Sequence, residues 1–354
     1  MQLLENRLYT QDLTFVSKTN LPWEELQNSH ILITGSTGLL GSFLIDVLMT
    51  KNRDNLQCHV YAMGRSKERA MQRFSQYVQS PYFTFIAHDI NDELKDDKLP
   101  KFDYILHLAS NTHPVAYSTQ PVETITTNII GTHNLLMLAK RHNSKRFLLS
   151  SSVEVYGMNR GDTLYFDELY SGHIDCNTLR AGYPESKRCS EALCQAYIRQ
   201  HNLDIVIARL ARCYGPTLRT DDSKALSQFL FKALRDEDIV LKSEGLQHFS
   251  YLYVADAISA LLTILLLGKN GEAYNIADEQ SDVLLKDLAT TVANSVGRNV
   301  IFEIPNSTEQ IGYSTANIAL LNSAKLRQLG WSAHYSISQG VERTIKILKS
   351  TQGK

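Results

Sequence analysis

The sequence predicts a doubly wound, parallel α/β fold with a smaller C-terminal α/β lobe. Two observations carry this. From His30 onward, short apolar runs of strand length alternate with segments of helical periodicity, the pattern of buried parallel strands joined by crossover helices. The first of these strands passes directly into a glycine-rich turn and then a helix, in the run Thr34-Gly35-Ser36-Thr37-Gly38-Leu39-Leu40-Gly41.

Residues 1–28 precede this rhythm. Within them, 21–26 reads as a short helix with Pro22 in its first turn, packing on the domain that follows. Residues 31–33 are the first strand and 39–49 the first crossover helix. Further strands fall at 59–63, 83–86 and 104–108, followed by a long helix over 122–141 and a fifth strand at 146–149. A helix over 183–201 leads to a sixth strand at 205–208. After Pro216 the rhythm breaks: 217–224 is a polar loop, and helices at 224–235, 254–267 and 284–296 mix with isolated strands. The apolar run 260–267 is too short to span a bilayer and reads as a buried helix.

Bulk composition narrows the class. The 354 residues suffice for a sizeable core, and 43% hydrophobic with 21% charged residues is ordinary for a soluble globular protein. A formal net charge of −1 gives no reason to expect nucleic acid or an acidic membrane surface as a partner. The N-terminus carries Glu5 and no sustained apolar stretch, so a secretory signal is not expected. Cys58, Cys176, Cys189, Cys194 and Cys213 form no Cys-x-x-Cys pair and are an odd set for disulfides, so free thiols in a reducing cytoplasm are expected. The histidines show no metal-binding spacing, and no metal is expected.

The spacing Gly35-x2-Gly38-x2-Gly41 between strand and helix is a variant of the dinucleotide fingerprint. Its glycines permit a tight turn, close approach of backbone to a pyrophosphate, and close packing of helix on strand. At the end of the second strand the acid that would hold a ribose 2′-hydroxyl is absent; Met63-Gly64-Arg65-Ser66 stands there instead. An arginine at this place holds a 2′-phosphate, or stacks on adenine, or is a solvated surface charge. The missing acid favours NADP(H) over NAD(H).

Tyr183 and Lys187 are four residues apart and share one face of a helix. A cation beside a phenol favours phenolate and makes an acid–base group of a side chain that ordinarily titrates near ~10. Between the glycine loop and this pair lies the cluster Ser150-Ser151-Ser152.

Loop, serine cluster and Tyr-x3-Lys in this order resemble the extended short-chain dehydrogenase/reductase superfamily of nucleotide-sugar enzymes, over about 31–347. The resemblance implies a Rossmann-type NAD(P)-binding domain at 29–215, behind an N-terminal extension at 1–28, and a mainly substrate-binding lobe at 216–354, with chain crossings between lobes allowed. Gly35, Thr37, Gly38, Leu39, Leu40, Gly41 and Arg65 would hold the cofactor. His88-Asp89-Ile90 is similar to the adenine-contacting motif. His107-Leu108-Ala109-Ser110 is similar to the segment beside the cofactor, with Ala109 toward the cofactor and Ser110 toward the substrate. Asn128 matches the family's helix asparagine, for which plain helix packing competes as a role. Ser152 would hydrogen-bond the substrate oxygen, Tyr183 would carry its proton, and Lys187 would lower the tyrosine pKa and hold the nicotinamide ribose. Homodimers through the two long helices are common in the superfamily.

Three departures bear on the reaction. The dehydratases carry an Asp-Glu pair after the catalytic hydroxyl, and this chain has Val153-Glu154, which disfavours 4,6-dehydration. Glu154 and Tyr165-Phe166-Asp167-Glu168 resemble the uronate decarboxylases, but their substrate-lobe arginine is replaced by Phe249, with His248 beside it as a partial substitute. The asparagine of the Arg209–Pro216 segment is replaced by Arg212, which either reaches the sugar nucleotide or forms an internal salt bridge. The expectation drawn from these is an NADPH-dependent reductase of a 4-keto-6-deoxy nucleoside-diphosphate sugar in surface-polysaccharide biosynthesis. A nucleotide-sugar 4-epimerase or a UDP-glucuronate-type decarboxylase that retains NAD, with Glu154 active, is the alternative. A catalytically silent nucleotide-binding regulator is the remote one, disfavoured by the intact Ser152–Tyr183–Lys187 set.

Overall fold

A computed structural model describes residues 3–112, 114–303 and 317–352. The chain opens with α1 (Arg7–Ser17), capped by Asn6, whose side chain accepts from the Leu8 and Tyr9 amides at 2.8 and 3.1 Å. Alternation then begins: β1 (His30–Thr34), α2 (Leu39–Asn52), β2 (His59–Gly64), α3 (Lys67–Phe74), β3 (Phe83–Ala87), β4 (Tyr104–His107), α4 (Pro114–Thr119), α5 (Pro121–His142), β5 (Arg146–Ser152), β6 (Tyr165–Phe166), α6 (Gly182–His201) and β7 (Ile205–Leu210). The rest of the chain contributes β8 (Arg212–Tyr214), α7 (Ala225–Leu234), β9 (Ile239–Leu241), β10 (His248–Tyr253), α8 (Val254–Leu267), β11 (Ala273–Ile276), β12 (Asp282–Leu284), α9 (Leu285–Asn294), β13 (Val300–Phe302), β14 (Ile318–Leu321), α10 (Ala324–Arg327) and α11 (Ile337–Gln352).

The central sheet has seven parallel strands in the order β11-β7-β5-β4-β1-β2-β3. Strands buried on both faces carry near-continuous apolar sequence, as Ile31, Leu32 and Ile33 do in β1. The order reverses between β1 and β4, and ligands in such sheets bind outside the carboxyl ends of the strands at that reversal. The Gly35 turn, Ala109 and Ser152 all follow or end strands at that edge. A second sheet runs β12-β10-β14-β6, with β8 pairing β10, and β9 pairs β13. The apolar segment at 254–267 is the buried helix α8, lying against β7 and β11; β11 itself brings the chain back to the first sheet.

Helix α1 packs on α2 and α8 and is fixed by buried charge. Asp12 is fully buried and accepts from Tyr253 Oη at 2.6 Å, Tyr335 Oη at 2.8 Å and Arg343 Nε at 2.8 Å. Asp46 of α2 is buried likewise, accepting from Tyr9 Oη at 2.5 Å and Tyr77 Oη at 3.0 Å and pairing with Arg73. The N-terminal segment, which the sequence marks only by a short helical turn at 21–26, is therefore an integral layer. Among the described residues no helix is long and apolar enough to cross a membrane.

Removing Asp12 leaves two phenols and a guanidinium without their acceptor. Asp12→Ala is expected to lower the unfolding free energy by about 3 kcal/mol, read as a lower urea midpoint with an unchanged m-value.

Candidate active site

The site is assembled from the carboxyl ends of β1, β4 and β5 and the first turns of α6. Tyr183 and Lys187 lie one turn apart on α6, both buried. The Lys187 ammonium donates to the Ser150 carbonyl at 2.8 Å, which ties α6 to the end of β5. The hydroxyls of Ser152 and Ser110 lie near the Tyr183 phenol and pull its pKa down. Burial outweighs them, and with the Glu154 charge it pushes Tyr183 up to about 12. Burial lowers Lys187 to about 8, against the raising influence of Glu191.

A polar frame holds these groups. Asn128, fully buried in α5, accepts from Ser110 Oγ at 2.7 Å and donates to Ser186 Oγ at 2.9 Å, linking the loop after β4 to α6. Ser151 donates to Glu191 Oε1 at 2.5 Å, and Arg209 clasps the same carboxylate at 3.0 and 2.7 Å. His107 sits between Thr34 Oγ1 and Thr132 Oγ1 at 3.0 and 3.1 Å; burial and the Lys187 charge lower it to about 3, so it is a neutral strut.

Two side chains that sequence reasoning missed complete the site. Tyr117 of α4 stacks on Tyr183, with ring centroids 4.9 Å apart. Arg180, in the 3-10 turn Leu179–Ala181, donates to Glu154 Oε2 at 2.9 Å and lies over the Tyr117 ring at 4.8 Å. Its position three residues before Tyr183 was the available signal; Tyr117 had none. Arg212 approaches the other oxygen, Glu154 Oε1, at 3.8 Å and stacks on Phe249 with its guanidinium carbon 3.5 Å from the ring centroid. One carboxylate thus faces two guanidiniums. Nη1 of Arg180 and Nη1 of Arg212 are both buried with no hydrogen-bond partner among the described residues. His248 precedes Phe249 on β10, and the alternation of a strand turns it to the opposite face.

The residues of the glycine turn fit a dinucleotide. Gly35 has φ +65, and a Cβ there would lie 2.8 Å from the Ala109 nitrogen; at Gly41 it would lie 2.4 Å from the Gly35 carbonyl oxygen. Ser36 Oγ is buried in this turn and lacks a partner among the described residues. Gly38 is the N-cap of α2, whose first turn holds Leu39, Leu40 and Gly41; Thr37 precedes it, and Thr217 donates to the Leu39 carbonyl at 2.8 Å from the far side. Asp89 accepts from the Asn91 amide at 3.0 Å, and Ile90 packs beneath Gly131. Arg65 is 68% exposed and faces Asp89 at 4.0 Å.

Residues 31–277 match the model of the NAD-dependent epimerase/dehydratase family. UDP-glucuronic acid decarboxylase 2 of Arabidopsis thaliana is 34% identical over 319 residues, covering 90% of this chain and 67% of the relative. UDP-glucuronic acid decarboxylase 3 of the same plant is 33% identical over 317 residues, covering 89% and 87%. The solved structure of UDP-glucose 4-epimerase from Thermotoga maritima is similar with a TM-score of 0.79 at 22% identity, covering 91% of this chain and 99% of the other. This last likeness is one of fold.

These relatives overturn the expected 4-keto-sugar reductase: the curated relatives named above are UDP-glucuronic acid decarboxylases. The physical reason lies at Phe249. Its identity reads as the loss of a substrate-lobe cation, yet the guanidinium of Arg212 lies on its ring. The preference for NADP(H) also loses its support. The matching family is NAD dependent, and the arginine invoked for a 2′-phosphate faces a carboxylate.

Burying the Lys187 ammonium costs stability. Its folded pKa lies below its ordinary 10.5, so the cost is fully present below pH 8 and fades as the pH rises toward 10.5. Lys187→Met is expected to unfold at higher denaturant at pH 7, by about 1–3 kcal/mol, with the gain shrinking between pH 8 and 10.5.

Proposed function

The chain belongs to the NAD-dependent epimerase/dehydratase family, and on that premise we propose that it is a decarboxylase of a nucleoside-diphosphate hexuronate, of the UDP-glucuronate type, that retains NAD. The observation that carries this reading is the charge surplus at Glu154: two guanidiniums with free buried donors share one carboxylate beside Ser152 and Tyr183. A substrate bearing a carboxylate next to the reacting carbon balances it. The decarboxylases among the curated relatives support the same substrate class.

The chemistry follows from the substrate's own carbon skeleton. A ketone at C4 stands β to the C6 carboxylate, so the electrons of the C5–C6 bond pass into an enolate as CO2 leaves, and a proton from solvent replaces the carboxylate at C5. NAD, when bound, would supply the hydride acceptor at C4 and the hydride that restores the alcohol, so no external reductant is consumed. Tyr183 takes the proton of the C4 hydroxyl and later returns it, with Ser152 hydrogen-bonding the same oxygen. Arg180 draws the Tyr183 pKa down from the side of Glu154. Arg180 and Arg212 hold the carboxylate, and Glu154 orients both. Half-buried Tyr117, stacked on Tyr183, shields one face of the tyrosine ring from water.

Backbone amides of Gly35 to Gly41 and the Ser36 hydroxyl would hold the pyrophosphate, Asp89 and Ile90 the adenosine, and Ala109, Asn128 and Lys187 the nicotinamide ribose side. We assign 29–215 chiefly to the cofactor and 216–354 chiefly to the substrate, with α8 and β11 crossing back. Exposed Val122, Ile125 and Ile130 on α5 support a homodimer through the long helices, and the free thiols support a reducing cytoplasm.

Incubated with UDP-glucuronate labelled at the carboxyl carbon and no added reductant, the protein is expected to release labelled CO2 and a UDP-pentose in equal amounts. Tyr183→Phe should slow this by about 10²- to 10⁴-fold. Retention of the label in a 4-epimer, or turnover only on addition of NADPH, would contradict the proposal.

A further inference from the structure

We propose that Arg212 takes over the part of the substrate-lobe arginine whose place is held by Phe249, delivering from β8 the cation that selects a carboxylate at the reacting end of the substrate. This rests on the decarboxylase reading and identifies the side chain that gives it selectivity. Two exchanges occur on neighbouring strands. The resemblance places an asparagine at 212 and an arginine at 249, and this chain has Arg212 and Phe249. β8 and β10 pair in parallel with Arg212 opposite Tyr251. Phe249, two residues before Tyr251, shares its face of the sheet, and the guanidinium of Arg212 lies flat on the buried ring at 3.5 Å.

In this stacked position the guanidinium makes no hydrogen bond to the described residues. A phenyl face attracts the cation and sets its plane, while the N–H groups project from the edge. Glu154 Oε1 is 3.8 Å from Nη2, an ion pair too long for a hydrogen bond, and Nη1 is buried without a partner among the described residues. The other cations nearby are engaged: Arg180 donates to Glu154 at 2.9 Å, and Lys187 donates to the Ser150 carbonyl. Arg212 is therefore the cation with most donor capacity left.

Position favours a carboxylate over the substrate's diphosphate as its ligand. Glu154 stands two residues beyond Ser152, and Tyr117, stacked on Tyr183, feels the charges of Tyr183, Glu154, Arg180 and Arg212 together. The surplus charge lies at the end where the hydroxyl reacts. A diphosphate at C1 is a sugar ring away from C4, whereas the C6 carboxylate is attached to the carbon next to C4.

The test is binding of UDP-glucuronate and UDP-glucose to the NAD-loaded protein by titration calorimetry. Wild type is expected to prefer the uronate, Arg212→Asn to weaken uronate binding by roughly 10- to 100-fold with UDP-glucose binding unchanged, and Arg212→Asn/Phe249→Arg to restore the preference. Retained UDP-glucose binding certifies a folded site. If Arg212→Asn weakens both ligands equally, the arginine serves the diphosphate and the inference falls; if it weakens neither, the inference falls as well. Should Arg212→Asn prove unfolded, Arg212→Lys is read instead. It keeps the charge without the planar fork and is expected to lose several-fold of the uronate preference, and an unaltered preference overturns the inference. Wild type that binds UDP-glucose but not the uronate would overturn the decarboxylase reading itself, whereas loss of selectivity control at Arg212 alone leaves that reading standing.

Discussion

The buried ammonium of Lys187, bonded to the Ser150 carbonyl at 2.8 Å, is the contact on which the site depends. It locks the first turns of α6 against the end of β5. Tyr183 comes one turn earlier on the helix and Ser152 two residues later on the strand, so one contact registers the phenol against the hydroxyl. Burial makes this contact costly, as the lowered lysine pKa records, and the frame around it is correspondingly complete. Asn128 ties Ser110 to Ser186, and Arg209 and Glu191 brace the strand at Ser151. A strained functional group held by well-satisfied neighbours is the usual partition of stability and function.

Around that register the site is electrostatically incomplete. Among the described residues Glu154 is the one carboxylate paired with Arg180 and Arg212, and each guanidinium keeps a buried Nη1 without a hydrogen-bond partner. In a site with little water, such an imbalance is a strong selector for an anion. On the proposed reading, a second cation beside the tyrosine would turn oxidation into the first step of a carbon–carbon cleavage, by holding the carboxylate where a neighbouring ketone can accept the electrons.

Local patterns made the fold and the proton-transfer groups legible. Strand and helix periodicity, the glycine spacing and Tyr183-x3-Lys187 each span a few residues, and the described elements follow them. What escaped was non-local. Asp12 meets partners at 253, 335 and 343, so nothing near it in sequence marks α1 as a buried layer. Tyr117 and Arg180 reach the site from a helix and a turn with no motif of their own. Phe249 misled because a position-by-position comparison sees an arginine lost, while the guanidinium of Arg212 on the adjacent strand lies on its ring. Arg65 misled similarly: its guanidinium faces the Asp89 carboxylate at 4.0 Å, a partner distant in sequence.

Whether the surplus charge at Glu154 holds a substrate carboxylate is tested by a crystal structure of the Tyr183→Phe protein, in which turnover is slowed, with NAD and UDP-glucuronate. The sugar carboxylate is expected within hydrogen-bonding distance of the Arg180 and Arg212 guanidiniums, with the C4 hydroxyl toward Ser152. A carboxylate directed elsewhere, with the diphosphate or solvent against the two arginines, would contradict it.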